Sequence, residues 1–276
     1  MGADDSPAYQ RRTLGRRLRV LRTAARLTFE EAYDRLEMSD TTLNRIERGT
    51  TGVGVHTVKS MLDLYGVGAQ EWEPILALVR EANRKGWWAA YGLTNRSYVA
   101  METAASVVRS FDFGYIHGLL QTEEYMKAIS MDSLNAEQTR YTVEIRRIRQ
   151  RRLVERADLL RLMVVVDESA LRRSVGGREV MRGQLRHLLE AVELAEIRIL
   201  PAAVGGHVGM HGSFAVLDFP DPDEPSIGYF EHVVRATFLN RKSDVDRCRL
   251  AWEHLKSQAL GAVDSGALIR GILGEL

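Results

Sequence analysis

Three things are scarce in this chain of 276 residues: cysteine, excess charge of one sign, and long apolar runs. Cys248 is the sole cysteine, which excludes an internal disulfide and any CxxC metal site and fits a reducing cytoplasm. Formal net charge is +1, so overall charge implies no partner, and any polyanion surface must come from local clustering. No run approaches the roughly 18 apolar residues of a membrane span, and the start, MGADDSPAYQRR, has no apolar core of a secretion signal. Internal repeats and low-complexity tracts are missing too. So are the GxSxG, P-loop and GxGxxG fingerprints of common enzyme classes. The expectation is a soluble cytoplasmic protein without a membrane partner, with no cofactor or metal and no catalytic residues.

What is present is a sizeable apolar fraction, 45%, and a length suited to about two domains. Residues 1–10 read as a frayed arm. Leu14, Leu18, Leu21 and Ala25 recur at helical spacing and predict a helix to about Arg26. Thr28 is a plausible N-cap for a short helix with Glu30 and Glu31 in its first turn, ending near Leu36. Ser39 caps the next, whose inward face is Leu43 and Ile46, and Gly49 suits its left-handed stop. Two more follow, Val55 to Tyr65 and Trp72 to Lys85. Five short helices predict a compact α domain over 11–85.

The second and third helices, joined by Glu37-Met38, have the lengths of a helix-turn-helix, whose second helix enters the DNA major groove. Arg11, Arg12, Arg16, Arg17, Arg19, Arg22 and Arg26 crowd the first segment with no acid between them. That is either a phosphate-facing surface or a solvated basic face on an ordinary bundle.

The run LGRRLRVLRTAARLTFEEAYDRLEMSDTTLNRIERG resembles the XRE-type, lambda-repressor-like helix-turn-helix family. The resemblance places Ser39, Asp40, Thr41, Asn44 and Arg45 where recognition-helix residues meet phosphates and base edges. Thr28 and Phe29 fall where the preceding helix approaches the backbone, and Thr50 in the loop that follows. It also implies a salt bridge from Arg22 to Glu47, with the arginine near a phosphate. Several positions depart from the pattern: Phe29 stands for the usual glutamine, Tyr33 for a small alanine, and Glu37 for the turn glycine. A glutamate with positive φ at that turn implies local strain. Thr50, Thr51 and Gly52 stand for a loop often rich in basic residues, while Asp40 would repel phosphates unless it accepts from a cytosine amino group.

After REANRKGWWAAYG the composition changes, and 86–98 reads as a junction. Leu162–Asp167, Ile197–Leu200, Phe214–Phe219, Ile227–Val233 and Ala236–Leu239 read as strands. Helices are expected at Val180–Leu194, Asp244–Leu260 and Ser265–Leu273. Short connections predict a mostly antiparallel sheet with flanking helices, an α+β domain over 99–276. The blocks GWW..YG, FDFGYIHGLLQTEEYMKAI, VVVDESALRR.VGGREVMRGQLRHLLE and ILP...GGHVGMHGSFAVLDFP together resemble the C-terminal domain of actinobacterial, antitoxin-like transcriptional regulators. That resemblance implies a DNA-binding regulator, with double-stranded DNA as partner. The helix-turn-helix geometry adds a homodimer on an inverted repeat, and a small partner protein or small effector remains open. The rival is a protein-interaction module with weakened DNA binding.

Two further places stand out. In GGHVGMHG the glycines allow close backbone approach, and Met210, His211 and Phe214 could line an effector concavity with Trp87, Trp88 and Tyr91, or those aromatics could simply fill the junction. His207, His211 and later His232 suit a loop over the sheet better than a metal site. The stretch RYTVEIRRIRQRRLVERADLLR reads as a long amphipathic helix whose polar face, with Arg146, Arg147, Arg149, Arg151, Arg152 and Arg156, is solvated or docks an acidic partner.

Overall fold

The computed structural model describes residues 6–94, 97–130, 135–155, 160–232 and 234–276; Arg156 and Val233 lie outside them. The chain divides into two compact units, 1–104 and 105–276.

The first unit is helical: α1 (Pro7–Ala24), α2 (Phe29–Arg35), α3 (Asp40–Glu47), α4 (Val55–Leu64), α5 (Trp72–Ala82) and α6 (Tyr98–Ala104). Its core joins Leu14 and Leu18 of α1 to Ala32, Leu43, Ile46, Val58, Met61, Leu62, Ile75 and Val79. These are the inward positions of successive amphipathic helices, so burying them removes one stripe of each from water. Two expectations need correction. The arm is helical from Pro7, because proline suits the first turn and Ala8 and Tyr9 are buried. The stretch 86–98 is no plain linker either. Trp87–Tyr91 forms a 3-10 turn with Trp88 fully buried, and α6 packs on α1, so both belong to the first unit.

The second unit is a six-stranded sheet with helices: β1 (Val107–Asp112), α7 (Glu123–Ser130), α8 (Ala136–Gln150), β2 (Arg161–Asp167), α9 (Glu168–Arg172), α10 (Arg178–Glu190), β3 (Glu196–Leu200), β4 (Phe214–Asp218), β5 (Ile227–Glu231), β6 (Ala236–Leu239), α11 (Lys242–Gln258) and α12 (Ala262–Glu275). Strand order is β3-β2-β1-β4-β5-β6. The sheet is mixed, which corrects the antiparallel expectation: β1, β2 and β3 are mutually parallel, and β4 to β6 add antiparallel neighbours beside β1. Helices α7 and α8 link β1 to β2, and α9 and α10 link β2 to β3, as parallel crossovers require.

The error traces to β1. Its residues VVRSFD carry Arg109, Ser110 and Asp112, which hide the strand signal, yet each is accommodated. Arg109 pairs with Asp218 of β4, and the Ser110 hydroxyl donates to Asp112 at 2.7 Å. One sheet face is covered by α11, with Phe111, Val165, Phe214, Val216, Cys248, Trp252 and Leu255 as its core. The β3–β4 connection crosses the carboxyl ends of β2 and β1, as strand order demands. His207 in that strap lies within 3.3 Å of Asp167 and edge-on to Phe111.

Candidate nucleic-acid interface

Helix α3 begins on a local cap. The Ser39 hydroxyl accepts from the Thr42 amide at 3.1 Å, satisfying one of the free donors of a helix start. Asp40 follows, and its carboxylate accepts from the Thr41 amide and, at 3.0 Å, from the Thr41 hydroxyl. Along the helix Leu43 and Ile46 are buried, while Ser39, Asp40, Thr41, Asn44, Arg45 and Arg48 are exposed. One face is therefore core and the other polar surface.

The inward face is held at three points. Gly15 of α1 lets the two helices touch: a Cβ there would sit 2.4 Å from the Ile46 carbonyl oxygen and 2.7 Å from that of Glu47. Gly49 ends α3 at φ +62°, and a Cβ on it would meet the Arg11 carbonyl at 2.5 Å. Between these lies the ion pair. Arg22 Nε donates to Glu47 Oε1 at 2.6 Å, Nη2 to Oε2 at 3.1 Å, and Nη1 to the Leu27 carbonyl at 2.9 Å. The guanidinium also lies over the Phe29 ring, 5.6 Å from its centroid. The carboxylate raises the arginine's pKa further. Arg22 and Glu47 are both largely buried, so Arg22 braces α1 against α3. Neither glycine contact was anticipated from sequence; Gly15 inside a helical pattern was the available sign of close backbone approach.

Helix α2 presents the other expected positions. Thr28 is exposed and closes a capping box with Glu31, its hydroxyl accepting from the Glu31 amide at 3.2 Å. Phe29 is half-buried and meets Tyr33 edge to face at 5.7 Å, so two of the residues that depart from the family pattern pack on one another. Glu37 adopts φ +50° in the turn, as expected from the missing glycine. Arg26, expected to be helical, takes φ +58° beyond the end of α1. Thr50 is exposed beyond Gly49, its hydroxyl donating to the Arg45 carbonyl at 3.2 Å.

The basic run of α1 is not one surface. Arg17, Arg19 and Arg26 are exposed, Arg22 is buried, and Arg11 donates to the Ala82 carbonyl at 2.6 Å, its pKa lowered by burial.

The residues expected to line an effector concavity fall in different units. Trp87, Trp88 and Tyr91 are in the first, with Trp87 edge-on to both neighbours at 6.0 and 6.2 Å. Met210 and His211 lie exposed in the strap of the second, whereas Phe214 is buried in the sheet, stacked on Phe230 at 5.7 Å. The basic stretch after Arg140 is shorter as an α-helix than expected, ending at Gln150, where Arg151–Leu153 tightens into a 3-10 turn. Its polar face is not simply solvated. Arg149 and Arg152 are buried, with Arg152 donating to the Ala105 carbonyl at 2.7 Å, and Arg147 pairs with Glu123 of α7. On the outer side α7 and α8 border an open groove of about 890 Å³ with Lys127, Arg140, Glu144 and Arg151 at its margins.

These features define a protein with an N-terminal helix-turn-helix domain; residues 13–74 match the family model described as "Helix-turn-helix domain", a match that supports a DNA-binding regulator. Residues 95–271 match the model described as "Domain of unknown function (DUF5753)", and since this covers most of the chain, the protein belongs to that family. Neither a curated protein nor a solved structure matches it. Among the described residues no helix is long and apolar enough to cross a membrane.

Proposed function

We propose that this protein is a sequence-specific transcription regulator of the XRE type. It binds an inverted-repeat operator as a homodimer, with α3 of each copy in the major groove. The C-terminal domain supplies dimerisation and senses a small effector or a small partner protein. The observation that carries the reading is the division of α3: Leu43, Ile46 and Glu47 are fixed inward by α1, and Thr41, Asn44 and Arg45 are left exposed on the opposite side. Arg45 has the planar fork that suits O6 and N7 of guanine, and Asn44 the amide that suits adenine. Ser39 and Thr41 at the start of α3, with Thr28 at the start of α2, suit phosphate oxygens. Phe29 and Thr50 border that face, and Arg22 acts through the position of α3 rather than by touching DNA.

Footprinting on DNA upstream of the protein's own coding region should reveal two half-sites about one helical turn apart. Arg45→Ala should weaken operator binding by about 1–3 kcal/mol and relax preference at one base per half-site. Equal affinity of parent and variant for operator and for scrambled DNA, measured by fluorescence anisotropy, would refute the assignment.

A further inference from the structure

Beyond the carboxyl end of β1 the sheet changes from parallel to antiparallel, the kind of edge where open α/β sheets commonly seat ligands. The chain leaves β1 through residues 113–121, and this loop is firmly pinned. The Ile116 amide donates to the Tyr125 hydroxyl at 3.3 Å, and Gln121 Nε2 donates to the Ile116 carbonyl at 2.6 Å. Gln150 Nε2 holds the Gln121 carbonyl at 2.8 Å. With its amide nitrogen so engaged, Gln121 turns its side-chain oxygen to Arg146 of α8.

Arg146 is the anomaly. Its guanidinium is half-buried, yet its acceptor is a neutral amide, and among the described residues no carboxylate lies within 4 Å of it. A second cation stands beside it. A methyl placed on Gly118 would lie 3.9 Å from both terminal nitrogens of Arg149 and 4.0 Å from Nε of Arg146, with nothing nearer. Two guanidinium groups thus lie against the same side of Gly118. Burial and the neighbouring Arg149 push Arg146 down to about 10, while the attraction of Glu231, Tyr115 and Tyr125 does not make up the difference. A cation left short of negative charge costs stability unless something else completes it.

We propose that Arg146, Arg149 and the open face of Gly118 form the binding site for a small anionic ligand, one carrying a phosphate or carboxylate group. The planar fork of arginine matches either group through paired N–H donors. A side chain at 118 would stand against both guanidinium groups, since its Cβ alone would already touch them. This deepens the sensing part of the proposed function and rests on it only for the consequence at DNA; anion binding itself is separate from operator binding and is read separately.

The test is calorimetric titration of the full chain with sodium phosphate and with disodium succinate, in chloride at constant ionic strength. Saturable binding of one equivalent is expected in the parent, weakened at least tenfold in Arg146→Gln and in Gly118→Ala. Tighter phosphate identifies a phosphorylated ligand and tighter succinate a carboxylate. Without ligand, Arg146→Gln should melt at or above the parent, because an uncompensated cation has been removed. No saturable binding of either anion, or equal binding in parent and both variants, overturns the proposal. So does an unliganded Arg146→Gln that melts well below the parent, since Arg146 would then be a structural cation. Operator affinity measured on the same samples without anion shows separately whether the DNA reading holds.

Discussion

Replacing Glu47 by alanine tests how α3 is held. Its carboxylate is 7% exposed and takes two hydrogen bonds from an arginine that is itself 11% exposed. Truncation leaves the Arg22 guanidinium with the Leu27 carbonyl and the Phe29 face, and with no charge to balance it. Breaking a buried pair from one side costs about 3–5 kcal/mol, and the surviving contacts favour the lower end. In a helical unit of this size each kcal/mol is worth roughly 4–8 °C, so the unit's melting midpoint should fall by roughly 12 °C or more. A second signal is independent of melting. The Tyr65 phenol is pushed upward first by burial and then by the charge of Glu47. Without that charge it should ionise at lower pH, visible in the ultraviolet absorbance of phenolate. Operator affinity should fall as well, because α3 loses its brace to α1. An unchanged melting midpoint together with an unchanged Tyr65 titration would refute the reasoning, since the pair would then be absent or solvated in solution.

Glu37→Gly should stabilise the first unit by about 0.5–1 kcal/mol: the left-handed turn costs a glutamate about 1–2 kcal/mol, and glycine returns part of that as entropy of the unfolded chain. Urea denaturation that shows the variant no more stable would mean the turn carries no strain. Asp112→Asn concerns pH. Burial raises the Asp112 carboxyl above its ordinary range, so the folded protein binds that proton more tightly than the unfolded chain. The stability this contributes is complete below the ordinary carboxylate pKa and is lost as pH climbs through the raised value. Asparagine can still accept from Ser110 and carries no charge, so the variant should exceed the parent near neutral pH, with the gap closing toward about pH 4. A gap independent of pH in denaturation curves would contradict this.

The helical unit was legible because its signals are local. Leu43 and Ile46 show the helical period, Ser39 the cap and Gly49 the stop, and each is satisfied within one turn of chain. Even Glu37 declared its strained conformation, through the glycine expected in its place. What stayed hidden depends on distant partners. Gly15 signifies nothing until the carbonyls of Ile46 and Glu47 arrive against it, and Arg11 reads as a surface cation until it meets Ala82. The sheet divides the same way. Leu162 to Val166 is uniformly apolar and announces a buried strand, whereas β1 mixes apolar residues with Arg109, Ser110 and Asp112, whose neutralising partners are remote or within the strand itself. With β1 unseen, the strands that remained suggested an antiparallel meander. Arg146 was read as one of a run of arginines, and only the pinned loop beneath it separates it from the rest.

The position of β1 has a consequence for how the chain acquires its structure. Val107 pairs in register with Arg161 on one side and with Asp218 on the other, so the strand that unites both halves of the sheet is made early and completed late. During synthesis the helices of the first unit can close on neighbours only tens of residues away. The second unit holds an incomplete central strand until β4 emerges, and Phe111 lacks its cover until α11 follows. Contacts of such long sequence separation slow folding. Truncation anywhere before β4 should therefore leave a folded helical unit joined to an aggregation-prone remainder, whereas the helical unit should refold quickly whatever the fate of the sheet.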